Sequence, residues 1–247
     1  MTGVPIIMAA FTLAWLAAVL ARFQHSKPVL VGGLAIVGVG AVTAMLAGAV
    51  EPAAFGLNRP GSWLLTVAGA AAWVLVMLAY SPLADALARR RFPEPPNLTA
   101  FDGLRRSRSM LAAGIAVAWL LGGFLEELTF RGVVLQVLDA WLTPILPRPV
   151  AAAAAVAAAA AGAAVIHLYQ GSRAVLVVGQ LSVLFGTLMV LGGHNLWTVM
   201  ICHGLYDTVA FIRYARGTSR SATPARPCSP RRTPAGNECD ERDPTRR

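Results

Sequence analysis

Six ionisable side chains sit in short patterns within apolar stretches of the chain. The first pattern is Glu126-Glu127-Leu128-Thr129-Phe130-Arg131, the second places His167 four residues after Ala163, and the third is His203-Gly204-Leu205-Tyr206-Asp207. An ionisable group inside a lipid-spanning helix is costly and is usually kept for function. On a helix Glu127 and Arg131 stand at i and i+4 with the acid first, the favoured order for an intrahelical ion pair. Glu126 is rotated from its neighbour by about 100°, so it points elsewhere. One acid is neutralised by structure and the other is left free. His203 and Asp207 share a helix face in the same i, i+4 relation.

A Glu, two His and an Asp on three apolar helices are expected to gather in one bundle, because nothing else in lipid can solvate them. Such a set can hydrolyse. A carboxylate in a low-dielectric cavity gains proton affinity and suits a general base. An imidazole beside it can orient and deprotonate a water, and a second imidazole with a neighbouring polar side chain can steady the oxyanion formed on an attacked carbonyl. The chain has no G-x-S-x-G nucleophile motif. Cys202 adjoins His203 but faces another way on the helix, and reads as packing.

The elements that must position these groups are membrane spans. Of 247 residues, 56% are apolar and only 13% charged, against roughly 25% charged in a soluble domain, so a soluble globular protein is excluded. A span needs about 20 mostly apolar residues. Val4–Ala21, Pro28–Val50, Ser62–Tyr80, Met110–Phe124, Val150–His167, Ala174–Leu191 and Leu196–Tyr214 qualify. Residues 128–146 are mixed: they extend the fourth helix, lie at the interface, or form an eighth span. In residues 151–164 all but Val156 and Gly162 are Ala, a surface so small that neighbouring helices can approach closely. The expected fold is an all-α polytopic transmembrane bundle of seven or eight spans. Its organisation reads as N-terminal helices and a basic connector over 1–109, a core over 110–214, and an Arg- and Pro-rich disordered cytoplasmic tail over 215–247.

With seven spans, every Lys and Arg except Arg59, Arg131 and Arg148 falls on one side, which the positive-inside rule makes cytoplasmic, leaving the amino terminus outside. The net charge of +9 is explained by that bias, and nucleic acid is not an expected partner. The six Trp read as lipid-facing or interfacial anchors. Three cysteines without a CxxC form neither a disulfide framework nor a structural zinc site. These spans put Glu126 toward the outer side and His167 near the inner end. They can meet only if the fourth helix is long, with Glu126 in mid-membrane, or if 128–146 folds back.

The three patterns together resemble the signature of the CPBP (Abi) family of intramembrane proteases, which includes the type II CAAX prenyl endopeptidases. Its pattern is E-E-x-x-x-R, then F-x-x-x-H, then H-x-x-x-N or H-x-x-x-D, on successive helices. Here the first and last are intact, while Ala163 stands where the family usually has Phe. The resemblance covers about residues 110–212. It implies that Glu126 and His167 activate the hydrolytic water, that His203 and Asp207 form the oxyanion site, and that Glu127 and Arg131 hold the site's shape. The family is often labelled metalloprotease. This chain has no H-E-x-x-H, which favours a glutamate-based mechanism, with a divalent metal such as zinc left open. The expected protein is thus a multi-pass endopeptidase of the cell membrane. It would act on a membrane-associated protein or peptide, whether or not that substrate is prenylated, with the bilayer itself as partner. A proton- or ion-coupled transporter and a catalytically silent membrane scaffold or immunity protein are the alternatives.

Overall fold

Residues 3–23 and 26–217 are described by a computed structural model. Seven long helices follow one another: α1 (Gly3–Phe23), α2 (Lys27–Leu46), α3 (Trp63–Arg91), α4 (Arg108–Leu142), α5 (Arg148–Val165), α6 (Ser172–Leu191) and α7 (Leu196–Arg216). Among the described residues there is no strand. The first six are long and apolar enough to cross a membrane. The seventh carries His203, Asp207, Arg213 and Arg216 and packs against α3, α4 and α6. The all-α polytopic bundle expected from the sequence is the fold observed.

Helix starts coincide with side chains that satisfy the first free amides. Ser62 Oγ accepts from the Leu65 amide, Ser107 Oγ from Met110, and Asn195 Oδ1 from Trp197. The third span, expected to end at Tyr80, runs further, because α3 continues through Pro82 to Arg91. Pro82 has no N–H for the Leu78 carbonyl, and Ser81 Oγ donates to that carbonyl instead, at 3.3 Å. The helix therefore loses no acceptor at the proline and runs on for 29 residues.

Residues 128–142 extend the fourth helix; they neither fold back nor form an eighth span. α4 is 35 residues long, about 50 Å at 1.5 Å per residue, against a hydrocarbon core of about 30 Å. Glu126 lies near its middle. Its regular turns give way to wider π turns over Trp119–Glu126 and Leu128–Leu135, a departure often found at functional sites. The second of these segments is buried from end to end. Arg131 is accordingly a core residue with 1% exposure, not a loop base on the outer side.

The alanine-rich α5 is used as expected. Ala151, Ala155, Ala159, Ala160 and Ala163 are buried as α5 packs against α6 and the central part of α4. Two tryptophans depart from the anchoring role. Trp15 is buried and donates to the Val29 carbonyl at 3.1 Å, and half-buried Trp73 donates to the Leu184 carbonyl at 3.2 Å. An indole that finds a carbonyl on a neighbouring helix can leave the lipid surface. At one end of the bundle the turn before α7 is clasped to the short turn Pro52–Phe55. The Leu196 amide donates to the Gly56 carbonyl at 2.8 Å. At Gly56 φ is +76°, and a side chain would meet the His194 carbonyl at 2.5 Å. Of the expected tail, Ala215 and Arg216 end α7, and residues 218–247 lie outside the described residues.

Candidate active site

α4 and α7 are drawn together by glycines. The Trp119 ring packs over Gly204, its indole nitrogen donates to Thr208 Oγ1 at 3.0 Å, and Gly123 faces the backbone of Met200 and Gly204. This close approach brings the middle of α4 against the turn of α7 that carries His203 and Asp207.

A cavity of about 580 Å³ opens between α4, α6 and α7. Glu126, His167, His203 and Asp207 all line it. The long helix resolves the sequence-level difficulty: Glu126 lies far enough along α4 to share a cavity with His167. That histidine is not on α5 but in the turn just beyond it, before the short 3-10 helix Leu168–Gln170.

The paired acids of α4 divide as their rotation predicts. Glu126 faces the cavity, whereas Glu127 is fully buried. Glu127 Oε1 accepts from Arg131 Nη1 at 3.1 Å and from His203 Nδ1 at 2.6 Å. Arg131 Nη2 donates to the Ser182 carbonyl at 2.9 Å. Glu127 therefore orients His203 as well as pairing with Arg131. His203 Nε2 is directed at Asp207 Oδ2, 3.5 Å away. On His167 the ring nitrogen Nδ1 lies 3.0 Å from the Ala163 carbonyl. A carbonyl only accepts, so Nδ1 carries a proton, and it is Nε2 that keeps the lone pair in the neutral ring. This bond uses the backbone of Ala163, so it does not depend on which side chain stands there.

Phe185 was not found from the sequence. Its ring stacks on His203 with centroids 4.6 Å apart and 22° between planes, and the Arg131 guanidinium lies 5.4 Å from the Phe185 centroid. A phenylalanine among the apolar residues of α6 carries no sequence signal that separates it from lipid-facing neighbours. Tyr169 also lines the cavity and accepts from Gln170 Nε2 at 2.7 Å. Burial raises its hydroxyl above the ordinary tyrosine value, the Gln170 bond lowers it, and the charges of Glu126 and Asp207 raise it further. It keeps its proton at neutral pH. Cys202 is buried with its sulfur 3.9 Å from Met77 Sδ, a packing contact.

The connector after α3 forms part of the cavity wall. Ala100, Phe101, Gly103 and Leu104 line it from the short helix Thr99–Arg105. Phe101 packs on Phe211, Tyr214 donates to Asp102 at 2.8 Å, and the Asn97 amide donates to the Gln170 carbonyl at 2.8 Å. The same segments carry Arg105, Arg106, Arg108 and Arg213, which belong to the basic side of the chain.

Residues 108–209 match the family model described as Rce1-like, type II CAAX prenyl endopeptidase Rce1-like. The expected family resemblance holds across this segment. Searches of curated proteins and of solved structures return no match. The Rce1-like segment spans α4 to most of α7 and so includes all four cavity residues. The match over this segment supports a CAAX-protease-like membrane endopeptidase as the general activity class. A catalytic zinc takes three protein ligands plus water. Among the described residues no three His, Cys, Asp or Glu side chains are grouped to hold a metal ion, and both ring nitrogens of His203 are directed at carboxylates. This donor set does not fit a zinc centre.

Proposed function

We propose that this protein is a multi-pass endopeptidase of the cell membrane that hydrolyses a peptide bond in a membrane-associated protein or peptide. The observation that carries this reading is the convergence of Glu126, His167, His203 and Asp207 on one cavity within the Rce1-like segment. The Glu126 carboxylate takes a proton from water while the His167 Nε2 lone pair orients it. The resulting hydroxide attacks the scissile carbonyl carbon, and the carbonyl electron pair moves to oxygen. His203 Nε2–H stabilises that oxyanion, joined by the Asp207 carboxyl once that carboxylate has taken up a proton from solvent. The C–N bond then breaks as Glu126 returns its proton to the departing nitrogen, leaving a new carboxyl and a new amine terminus. Glu127 and Arg131 keep His203 in register from behind.

The mostly apolar lining, with Phe101, Leu104, Met110 and Val117, suits a substrate that arrives with apolar residues or a lipid chain. The connector in the cavity wall and the basic residues of the same segments favour entry from the side read as cytoplasmic. The test compares peptide termini in membranes of cells carrying equal amounts of wild type and Glu126→Ala. New termini that require Glu126 are expected, and they name the substrates. A Glu126→Ala protein that produces the same termini as wild type would overturn the mechanism.

A further inference from the structure

One polar group in the cavity wall takes no part in the proposed reaction. Tyr169 stands in the short helix Leu168–Gln170 just after His167, and both Tyr169 and Gln170 line the cavity. The Tyr169 ring lies 6.3 Å from the His167 ring with 24° between planes, and the Lys27 ammonium is 5.7 Å from its centroid. Neither contact uses the hydroxyl. Gln170 Nε2 donates to the hydroxyl oxygen at 2.7 Å. The backbone of Gln170 is pinned on both sides, its amide donating to the His167 carbonyl at 2.9 Å and its carbonyl accepting from the Asn97 amide at 2.8 Å. A phenol both accepts and donates. Gln170 occupies one side of the oxygen, so the O–H turns to the other, and among the described residues it meets no acceptor. Burial, with the charges of Glu126 and Asp207, outweighs the Gln170 bond and keeps that proton in place at neutral pH.

A peptide held in this cavity must bury main-chain carbonyls, and a buried carbonyl without a donor is costly. In an extended chain the carbonyls of successive residues point to opposite edges. With the scissile carbonyl turned toward His203 on α7, the neighbouring carbonyls point away from α7, toward walls built by other elements. Tyr169, on the turn beyond α5, offers such a wall a neutral donor with nothing else to bond. We propose that the Tyr169 hydroxyl binds substrate by donating to a main-chain carbonyl adjacent to the scissile one, and that Gln170 aims it. This inference rests on the hydrolytic reading above and adds the contact that keeps the peptide in register. The bond is the same in the ground state and the transition state, so its loss raises KM and leaves kcat unchanged. A purely packing role for the ring would survive Tyr169→Phe without any change, because phenylalanine keeps the contacts to His167 and Lys27.

The experiment uses the full chain in lipid nanodiscs, on a Glu126→Gln background so that the peptide is not cut. The probes are the peptide spanning a Glu126-dependent cleavage site and two variants of it. In one the amide before the scissile bond is replaced by an (E)-alkene, and in the other the amide after it, so each lacks one adjacent carbonyl. Tyr169→Phe is expected to weaken the all-amide peptide about 3–10-fold, the scale of one neutral hydrogen bond. It should change the affinity of one alkene peptide by less than about twofold, because the two changes remove the same bond and are not additive. The other alkene peptide should keep the full effect and serves as the control. With Glu126 restored, Tyr169→Phe should raise KM by about 3–10-fold and leave kcat within about twofold. If the stranded Gln170 amide prevents Tyr169→Phe from folding, Tyr169→Phe with Gln170→Leu removes it and the same comparison is made. Unchanged affinity for the all-amide peptide, an equal loss for all three peptides, or a fall in kcat at constant KM overturns the inference. Absence of any Glu126-dependent cleavage in the wild type overturns instead the reading on which it rests.

Discussion

Arg131→Met gives the most demanding test of how this site is held. The guanidinium is 1% exposed, donates to Glu127 and to the Ser182 carbonyl, and lies against Phe185. Methionine matches its stem but leaves Glu127, fully buried, with only His203 as partner. Removing one member of a buried ion pair costs about 3–5 kcal/mol, because the other charge stays behind without compensation. The loss should be about 4 kcal/mol, or roughly 8–16 °C in Tm at about 2–4 °C per kcal/mol for a chain of this size. Combining it with Glu127→Leu removes the stranded charge. What remains is the Ser182 carbonyl and His203 Nδ1 without their partners, about 1 kcal/mol each, so the double variant should fall by only about 2 kcal/mol. The double variant is therefore more stable than Arg131→Met alone, yet its His203 is no longer oriented, so stability returns and turnover does not. Thermal unfolding in nanodiscs, followed by tryptophan fluorescence, reads the first, and Glu126-dependent cleavage reads the second. Equal Tm for single and double variants, or an Arg131→Met protein within about 1 kcal/mol of wild type, would refute the argument that these charges are mutually required.

Asp207→Asn should keep turnover within about tenfold of wild type, because an amide also donates to the oxyanion, whereas Asp207→Ala should lose about 100-fold or more; kcat on a cleavage-site peptide separates the two. Phe185→Ala removes the ring stacked on His203 and facing Arg131; it should lower Tm through a loss of about 3–5 kcal/mol and reduce kcat in addition, while Phe185→Tyr should recover more stability than Phe185→Leu. Ser81→Ala takes away the donor that serves the Leu78 carbonyl opposite Pro82 and should cost about 1 kcal/mol with unchanged cleavage, measured by thermal unfolding and by termini.

The spans, the buried ion pair and the gathering of Glu126, His167, His203 and Asp207 were legible because each follows from a strong local rule. Apolar length marks a span, i, i+4 spacing marks a shared face, and lipid drives ionisable groups together. What was not legible depends on geometry that no local rule supplies. Residues 128–142 mix apolar residues with Thr129, Arg131, Gln136 and Asp139, so composition cannot distinguish a buried helix from an interfacial one; burial by α5 decides it. Pro82 reads as a stop, and only Ser81 bonding to Leu78 lets the helix pass. Trp15 and Trp73 read as anchors until a neighbouring carbonyl is found for each indole. The π turns in α4 leave no mark in a pattern read with a period of 3.6.

Those turns bear on why one acid can remain free beside another that is locked. Glu127 receives two donors through a single oxygen, from Arg131 on its own helix and His203 on α7. Its charge is thereby compensated behind the cavity wall, and the same bonds hold the imidazole that faces Asp207. Glu126, one residue earlier, has no share in that network and borders the cavity. Were the two acids on one face, both would compete for Arg131, and like-charge repulsion in a low-dielectric space would leave one of them protonated and unable to act as a base. The adjacent pair thus separates two demands that conflict at a single position: a carboxylate fixed enough to aim His203, and another unbound enough to take a proton from water. Neutralising each acid in turn separates the two roles. Glu126→Gln with Glu127 intact should leave Tm near wild type and remove cleavage, whereas Glu127→Gln with Glu126 intact should lower Tm and leave partial cleavage. A reversed pattern would show that Glu127, not Glu126, handles the proton.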